Sequence, residues 1–371
     1  MNPQVQRIEV GSGIHTAEWL VSTRAGQELL ANCRKSDRRP RCMCVPGGVE
    51  MYVARRGNLY YLSRMPGTGF LHADDCDSVE DTSFFSGAGV YELGVIVEKD
   101  DGSLSIAANL DIRERMEEPI AQVSIDGVLD LLMEQAVLNQ IAAGADHRSW
   151  LSVRDRVLEA AAWIRLGNHS LADSLFAPDR YSRDTGVSSV PECESFLKAQ
   201  AGHALIFAPL KELRLTTYSW QLVLKHLPWL RLWVAKEVAE AIEGRCGTPF
   251  FSTPPTYALC LVAARPGRRE GNYTVTNLAC LPTDANYFPC RNECEAAVAR
   301  QLLETGKSLL RPLRFDSDPT QPLADFAILT NGTPDPVFVL SPSGNDELDS
   351  AKRSLASLMQ RNHSRVQVFN E

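Results

Sequence analysis

Arg41-Cys-Met-Cys44 and His72-Ala-Asp-Asp-Cys76 are the two short stretches whose reading decides the fold of the N-terminal part of the chain. Each brings a pair of soft ligands, and a strand-rich segment separates them. Zinc takes four tetrahedral N/S ligands, and three cysteines with one histidine form a closed set that leaves no position for a substrate. The pattern therefore predicts a structural Zn²⁺ held by Cys42, Cys44, His72 and Cys76, and a stabilised module rather than metal catalysis. Pro46-Gly-Gly48 turns the chain directly after the first pair, and Gly67-Thr-Gly69 brings it back before the second. Met51-Tyr-Val-Ala54 and Leu59-Tyr-Tyr-Leu62 read as strands around Arg55-Arg-Gly-Asn58, a hairpin that returns the two ligand pairs to one place. The alternative is a set of ordinary buried thiols beside a surface histidine.

Basic residues crowd this hairpin. Arg34, Lys35, Arg38, Arg39, Arg41, Arg55, Arg56 and Arg64 stand against only Asp37 and Glu50, with Tyr52, Tyr60 and Tyr61 interleaved. Cations beside aromatic rings suit phosphates and stacked bases, so Arg55, Arg56 and Arg64 are candidate nucleic-acid contacts. A solvated charged face over packed tyrosines is the other reading. The whole chain carries a net charge of −8, which argues against a protein that coats DNA broadly but leaves room for a local basic face.

The 371 residues suffice for two or three domains. No apolar run reaches the roughly 20 residues of a membrane-spanning helix, so no membrane partner is expected. Ten cysteines behind a start without a secretory pattern suit a reducing, cytoplasmic setting.

The patterning predicts an α+β, multi-domain chain. Residues 1–118 read as β-rich around the zinc site, with a second hairpin turning at Asp100-Asp-Gly102. Residues 119–250 read as mainly helical. One helix starts at Asp126 and carries Val128, Leu129, Leu131, Leu132, Ala136 and Ile141; another spans Ser149–Arg165, capped by Ser149 or Ser152; a third spans Trp229–Glu243. Gly247-Thr-Pro249 and Ser252-Thr-Pro-Pro255 mark a boundary, and residues 251–371 read as α/β. There, two strands (Tyr257–Ala264, Asn272–Leu281) precede a helix at Asn292–Thr305, three strands, a helix at Asp346–Arg361 and a last strand. Cys280, Cys290 and Cys294 are weaker candidates for a second metal site.

The C-terminal order of helix, three strands, helix and strand resembles the restriction-endonuclease-like, PD-(D/E)XK fold. Pro322-Leu-Ala-Asp325 is similar to the strand bearing the metal-binding Asp, and Val337-Phe-Val-Leu340 to the strand that carries an acid-x-Lys pair. The resemblance puts that acid at Phe338 and that lysine at Leu340. Both are apolar here, which removes a Mg²⁺ ligand and a positive charge together. It implies a degenerate nuclease-like domain with no assigned catalytic residue, Asp325 and Lys352 being remnants. Relocated chemistry through Glu293 or Glu295 and Lys352 is the alternative.

Across its length the chain also resembles a family of bacterial proteins, domain of unknown function 1173, through Arg41-Cys-x-Cys44, Met51-Tyr-Val-Ala-Arg55, Arg64-Met-Pro-Gly-Thr-Gly69, His72, Cys76, Asp126-Gly-Val-Leu-Asp-Leu-Leu132, Glu134-Gln-Ala-Val-Leu-Asn139 and Arg148-Ser-Trp150. That resemblance implies a mobile genetic element, with DNA or other mobile-element proteins as partners. The expected function is thus a non-catalytic nucleic-acid-associated accessory protein. A protein–protein adaptor and a Mg²⁺-dependent nuclease with relocated residues are the alternatives; the oligomeric state is not legible. No phosphate loop, dinucleotide fingerprint, nucleophile elbow or His-Glu-x-x-His helix is present.

Overall fold

The computed structural model describes residues 6–36, 38–56, 59–65, 72–73, 76–78, 86–92, 94–99, 101–111, 120–182, 184, 186, 188–200, 204–217, 219–240, 257–318, 323–330, 334–341, 346–362 and 365–370. The chain opens with β1 (Arg7–Val10), β2 (Gly13–Thr16), α1 (Ala17–Ser22) and α2 (Arg24–Lys35). Thr16 and Thr23 cap the two helices through their hydroxyls, and Arg34 and Lys35 sit in the last turn of α2, where cations suit the helix dipole. β3 (Arg41–Cys42), β4 (Val49–Arg56) and β5 (Leu59–Arg64) complete a sheet in the order β2-β1-β3-β4-β5. Ile8, Leu20, Leu30, Met51 and Val53 form its core. The β4–β5 hairpin stands where the sequence predicts it, but β4 is longer at both ends and β5 at its C-terminal end, so Arg55 and Arg56 belong to β4 and not to the turn. Its turn residues 57–58 lie outside the described residues.

A second sheet follows. β6 (Ile96–Glu98) and β7 (Leu104–Ile106) form the expected hairpin, its turn closed by Gly102 at φ +91. Next come α3 (Ile125–Gln135), β8 (Gln140–Ile141), α4 (Trp150–Ala162), β9 (Ile164–Leu166) and β10 (His169–Ser170). Ser124 caps α3 and Ser149 caps α4. α3 ends six residues before Ile141, because Val137 takes a left-handed φ of 54 and turns the chain into β8.

The middle of the chain departs from the mainly helical expectation. β11 (Leu175–Phe176) and α5 (Val190–Ala199) lead into β12 (Ala204–Leu215), β13 (Trp220–Leu224) and β14 (Leu227–Val234). The helix expected at Trp229–Glu243 is mostly β14, with helical residues only at 236–240. The reason is period: Leu230, Leu232 and Val234 are buried while Trp229 and Arg231 are exposed, an alternation that only a strand can present. β15 (Tyr257–Pro266) and β16 (Asn272–Thr283) then join the same sheet, so the boundary expected at 250 runs through one structural unit. Residues 241–256 lie outside the described residues.

That unit is a closed barrel. Its order is β12-β13-β14-β16-β15, and β15 pairs back onto β12. β14 and β16 are parallel; the other four pairings are antiparallel. β12 manages two partners by length: Ala204–Pro209 pair with β15 and Leu210–Leu215 with β13, with a register shift between Leu210 and Glu212. Ile206, Leu222, Leu232, Val262 and Val275 fill the interior. The outer faces of β12, β15 and β16 are covered by α3 and α4 through Leu205, Phe207, Leu259, Leu261 and Ala279.

The C-terminal order is as expected: α6 (Glu293–Glu304), β17 (Ser308–Leu310), β18 (Phe326–Leu329), β19 (Asp335–Leu340), α7 (Asp346–Asn362) and β20 (Gln367–Asn370). The sheet runs β20-β19-β18-β17-β8, with only the β19–β20 pair parallel. β8 reaches this sheet from residues 140–141, so it too draws on the middle of the chain. No helix among the described residues is long and apolar enough to cross a membrane.

Candidate metal centre

Cys42 lies on β3, held between Ile8 of β1 and Val49 of β4. The chain then reverses through Gly47 and Gly48, at φ +85 and +66, conformations that glycine adopts at little cost. A Cβ on Gly48 would lie 2.9 Å from the Met43 sulfur. This tight reversal returns the chain to β4 opposite Cys42, with Cys44 in the loop between the two strands. The return segment brings His72 and Cys76, with Cys76 N–H donating to the Ala73 carbonyl at 2.9 Å.

All four ligand atoms lie within 4.8 Å of one another. Cys42 Sγ is 3.5 Å from Cys76 Sγ, and His72 Nδ1 is 3.4 Å from Cys44 Sγ and 3.6 Å from Cys76 Sγ. Tetrahedral bonds of about 2.3 Å to sulfur and about 2.0 Å to nitrogen would place such ligands about 3.8 Å (S to S) and about 3.5 Å (S to N) apart. The side chains therefore already stand near a tetrahedral ligand shell. Backbone and side-chain donors support the sulfurs: Ala73 N–H toward Cys44, Ser78 N–H toward Cys76, and the Gln6 amide toward Cys42 and Cys76. Such outer contacts orient thiolate ligands and stabilise their charge.

Without a cation, adjacent thiols cannot both ionise comfortably. Cys42 is held below the usual thiol range by its hydrogen bond with Cys76, and Cys76 is pushed far above it by the same contact and by burial. Burial and the nearby Arg64 lower His72, which favours the neutral imidazole that a metal needs. The cluster can hold a metal ion, and it is the one such Cys/His/carboxylate group among the described residues.

The other residues singled out in the sequence fare differently. Arg34 forms a nearly buried ion pair with Glu98, and Arg55 lays its guanidinium 4.6 Å over the Trp163 ring while its N–H faces Glu98. Arg34 on α2 and Arg55 on β4 thus tie the N-terminal elements to β6 and to Trp163 at the end of α4. Arg64 sits beside His72, and the side chain of Arg56 lies outside the described residues. Cys280 faces Cys260 across β15 and β16 at 3.3 Å, while Cys290 lies just before α6 and Cys294 in its first turn; the three do not converge.

Asp325, Lys352 and Glu295 do converge. Lys352 Nζ lies 2.6 Å from Asp325 Oδ2 and donates to the Val339 carbonyl at 2.7 Å, so it reaches β19 from α7. Asp325 also accepts from Val339 N–H and from Arg291. Glu295 is held by Arg291 at 2.9 Å and by Arg311 at 2.8 Å. Burial opposes ionisation of Glu295, but the two guanidiniums outweigh it and hold its carboxyl well below the usual range. Glu293 stays exposed outside this network, and Phe338 is buried in the core against Ala324 and Ala356. Sequence reasoning missed Arg291, Arg311 and Gln6. The signals for the first two were present: Arg291 lies four residues before Glu295, and Arg311 directly follows the apolar Leu309-Leu310 that ends β17.

No curated protein and no solved structure matches the chain. One family model does, over residues 14–368, which takes in all four ligands, the barrel and the buried ion network. The chain therefore belongs to the family described as protein of unknown function DUF1173.

Proposed function

We propose that this chain is a non-catalytic, nucleic-acid-associated accessory protein of a bacterial mobile element, with Zn²⁺ as the structural metal of the Cys42/Cys44/His72/Cys76 set. Three cysteines and one histidine complete a tetrahedral zinc shell and leave no open position for a reacting group.

The observation that carries the non-catalytic part is the closure of the Asp325–Glu295 network. A Mg²⁺ site needs carboxylate oxygens that face open space and retain excess negative charge. Here Arg291, Arg311 and Lys352 supply three cations to two carboxylates, and all four carboxylate oxygens already accept hydrogen bonds. A divalent cation would have to displace those partners and enter a region of net charge +1. This supports the reading of the C-terminal part as a nuclease-like domain that has lost cleavage.

The nucleic-acid part rests on the basic residues of the zinc module, Arg38, Arg39, Arg41 and Arg64 among them. The test is fluorescence anisotropy with single- and double-stranded DNA across a salt series, with Mg²⁺ added afterwards. The account expects binding that weakens steeply with salt and no cleavage. No binding even at low salt would overturn it in favour of a protein partner, and Mg²⁺-dependent cleavage lost in Asp325→Ala would restore the nuclease.

A further inference from the structure

Among the described residues, the outer face of β14 is not covered by α3 and α4. α3 and α4 cover β12, β15 and β16, whereas the outward side chains of β14 are Trp229, Arg231 and Trp233. Trp229 is 60 % exposed. Its ring packs edge-on against Tyr181, with centroids 5.2 Å apart. Beside it opens a groove of about 570 Å³ lined also by Lys211, Lys225 and Tyr257. Lys225 Nζ lies 4.0 Å over the Tyr257 ring, and that ring stacks on Tyr287 at 4.9 Å.

From this groove the face continues along β14. Trp229, Arg231 and Trp233 alternate outward, so two indoles stand roughly 13 Å apart with a guanidinium between them. Arg231 pairs in register with Asn272, and Trp233 with Gln221 and Thr274, all polar neighbours. Trp233 is fixed by an Nε1–H bond to Asn272 Oδ1 at 3.0 Å. The acid on the neighbouring stretch of β12, Glu212, is neutralised by its ion pair with Arg214. A chain of net charge −8 thus carries a cationic, aromatic strip on this barrel face.

We infer that this strip, from the Trp229 groove along β14 to Trp233, binds single-stranded nucleic acid, with bases on Trp229 and Trp233 and phosphates on Lys211, Lys225 and Arg231. The inference rests on the nucleic-acid reading above and gives it a surface other than the zinc hairpin. Exposed aromatic faces accept any base, and lysine or arginine between them tracks the backbone. A five-stranded barrel whose third and fifth strands run parallel is also the topology of oligonucleotide-binding barrels, in which the outer face of the second and third strands carries the ligand. Here those strands are β13 and β14. Topology alone assigns no function; the residues on that face carry the argument.

The test uses the full-length protein and a fluorescein-labelled oligo(dT) of about 15 nucleotides, within the site sizes such barrels cover. Anisotropy is read for the wild type, Trp229→Ala, the double variant Lys211→Glu with Arg231→Glu, and Arg41→Glu as a control in the zinc module. Substitution of the exposed Trp229, Lys211 and Arg231 leaves the core intact, and circular dichroism checks this. Trp229→Ala should weaken binding at least roughly fivefold, the factor expected from losing one stacked base. The double charge reversal should also flatten the salt dependence, by about 0.7 in slope per lost phosphate contact. Oligo(dT) should quench tryptophan fluorescence in the wild type more than in Trp229→Ala. Wild-type affinity in both variants, with loss only in Arg41→Glu, would overturn this surface while keeping the nucleic-acid reading. No binding by the wild type at low salt would overturn both. Faster or slower sedimentation of Trp229→Ala alone, without any oligonucleotide effect, would assign the face to a second copy and overturn the inference.

Discussion

Asp325→Ala is the substitution that most sharply separates a structural network from an active site. Asp325 is 1 % exposed, and its carboxylate receives Lys352, Arg291 and the Val339 N–H. Removing it strands the ammonium of Lys352, which is only 8 % exposed, and opens the Arg291 guanidinium on its Asp325 side. Breaking a buried pair by deleting one partner costs about 3–5 kcal/mol, because the surviving charge stays desolvated. Lys352→Met should cost less, about 1–3 kcal/mol, since it keeps an apolar stem and leaves Asp325 with Arg291 and Val339. The double variant should then cost clearly less than the sum of the two, the mark of direct coupling. Urea titration gives the global effect, and hydrogen exchange of peptides covering Val339 locates it in β19. Asp325→Ala with wild-type stability and unchanged protection at Val339 would refute the reasoning. Carboxylates that await a metal repel each other, and removing one of those relieves strain.

Other outcomes follow from the same reasoning. Asp130 is buried on α3, where burial lifts its carboxyl to about 8 although it accepts the Phe315 N–H at 2.7 Å. A raised folded-state pKa makes its contribution complete below pH about 4 and lost as pH rises through about 8. Asp130→Asn, which imitates the protonated form, should therefore match the wild type in acid and exceed it by on the order of 1–3 kcal/mol at pH 9 in thermal or urea unfolding. Glu295 has the opposite sign: its depressed pKa gives stability that is present above the ordinary glutamate range and lost as pH falls below it. Exchange protection around β18 should thus persist at pH 5 and fail in stronger acid. Gly48→Ala forces a side chain into a left-handed turn against Met43, and should cost about 1–2 kcal/mol and lower metal occupancy, read by elemental analysis. Arg34→Ala removes the nearly buried Arg34–Glu98 ion pair, so limited proteolysis should release the N-terminal sheet sooner than in the wild type.

The ligand set was legible because a two-strand hairpin is a local structure. Once Met51–Ala54 and Leu59–Leu62 read as strands, the hairpin let the pairs Cys42/Cys44 and His72/Cys76 meet. The C-terminal elements were legible for a similar reason, since helix caps such as Asn292 and a left-handed Gly306 leave marks in neighbouring residues. The barrel was not. β12 meets β15 across more than forty intervening residues, and nothing local in Ala204–Pro209 names that partner. The apolar density of Leu227–Val234 and the helical residues that follow it made the strand look like the start of a helix. The contacts of Arg55 were not legible because its partners, Trp163 and Glu98, come from other parts of the chain. Lys352 stood out in the sequence, but its return to Asp325 needed the packing of α7 on β19.

The metal centre is the claim on which the N-terminal half of the account stands, and elemental analysis of protein purified without chelator tests it most directly. The account predicts close to one zinc per chain in the wild type, lost in Cys44→Ser and in His72→Ala. Metal near zero in folded wild-type protein, or full occupancy in both variants, would contradict it.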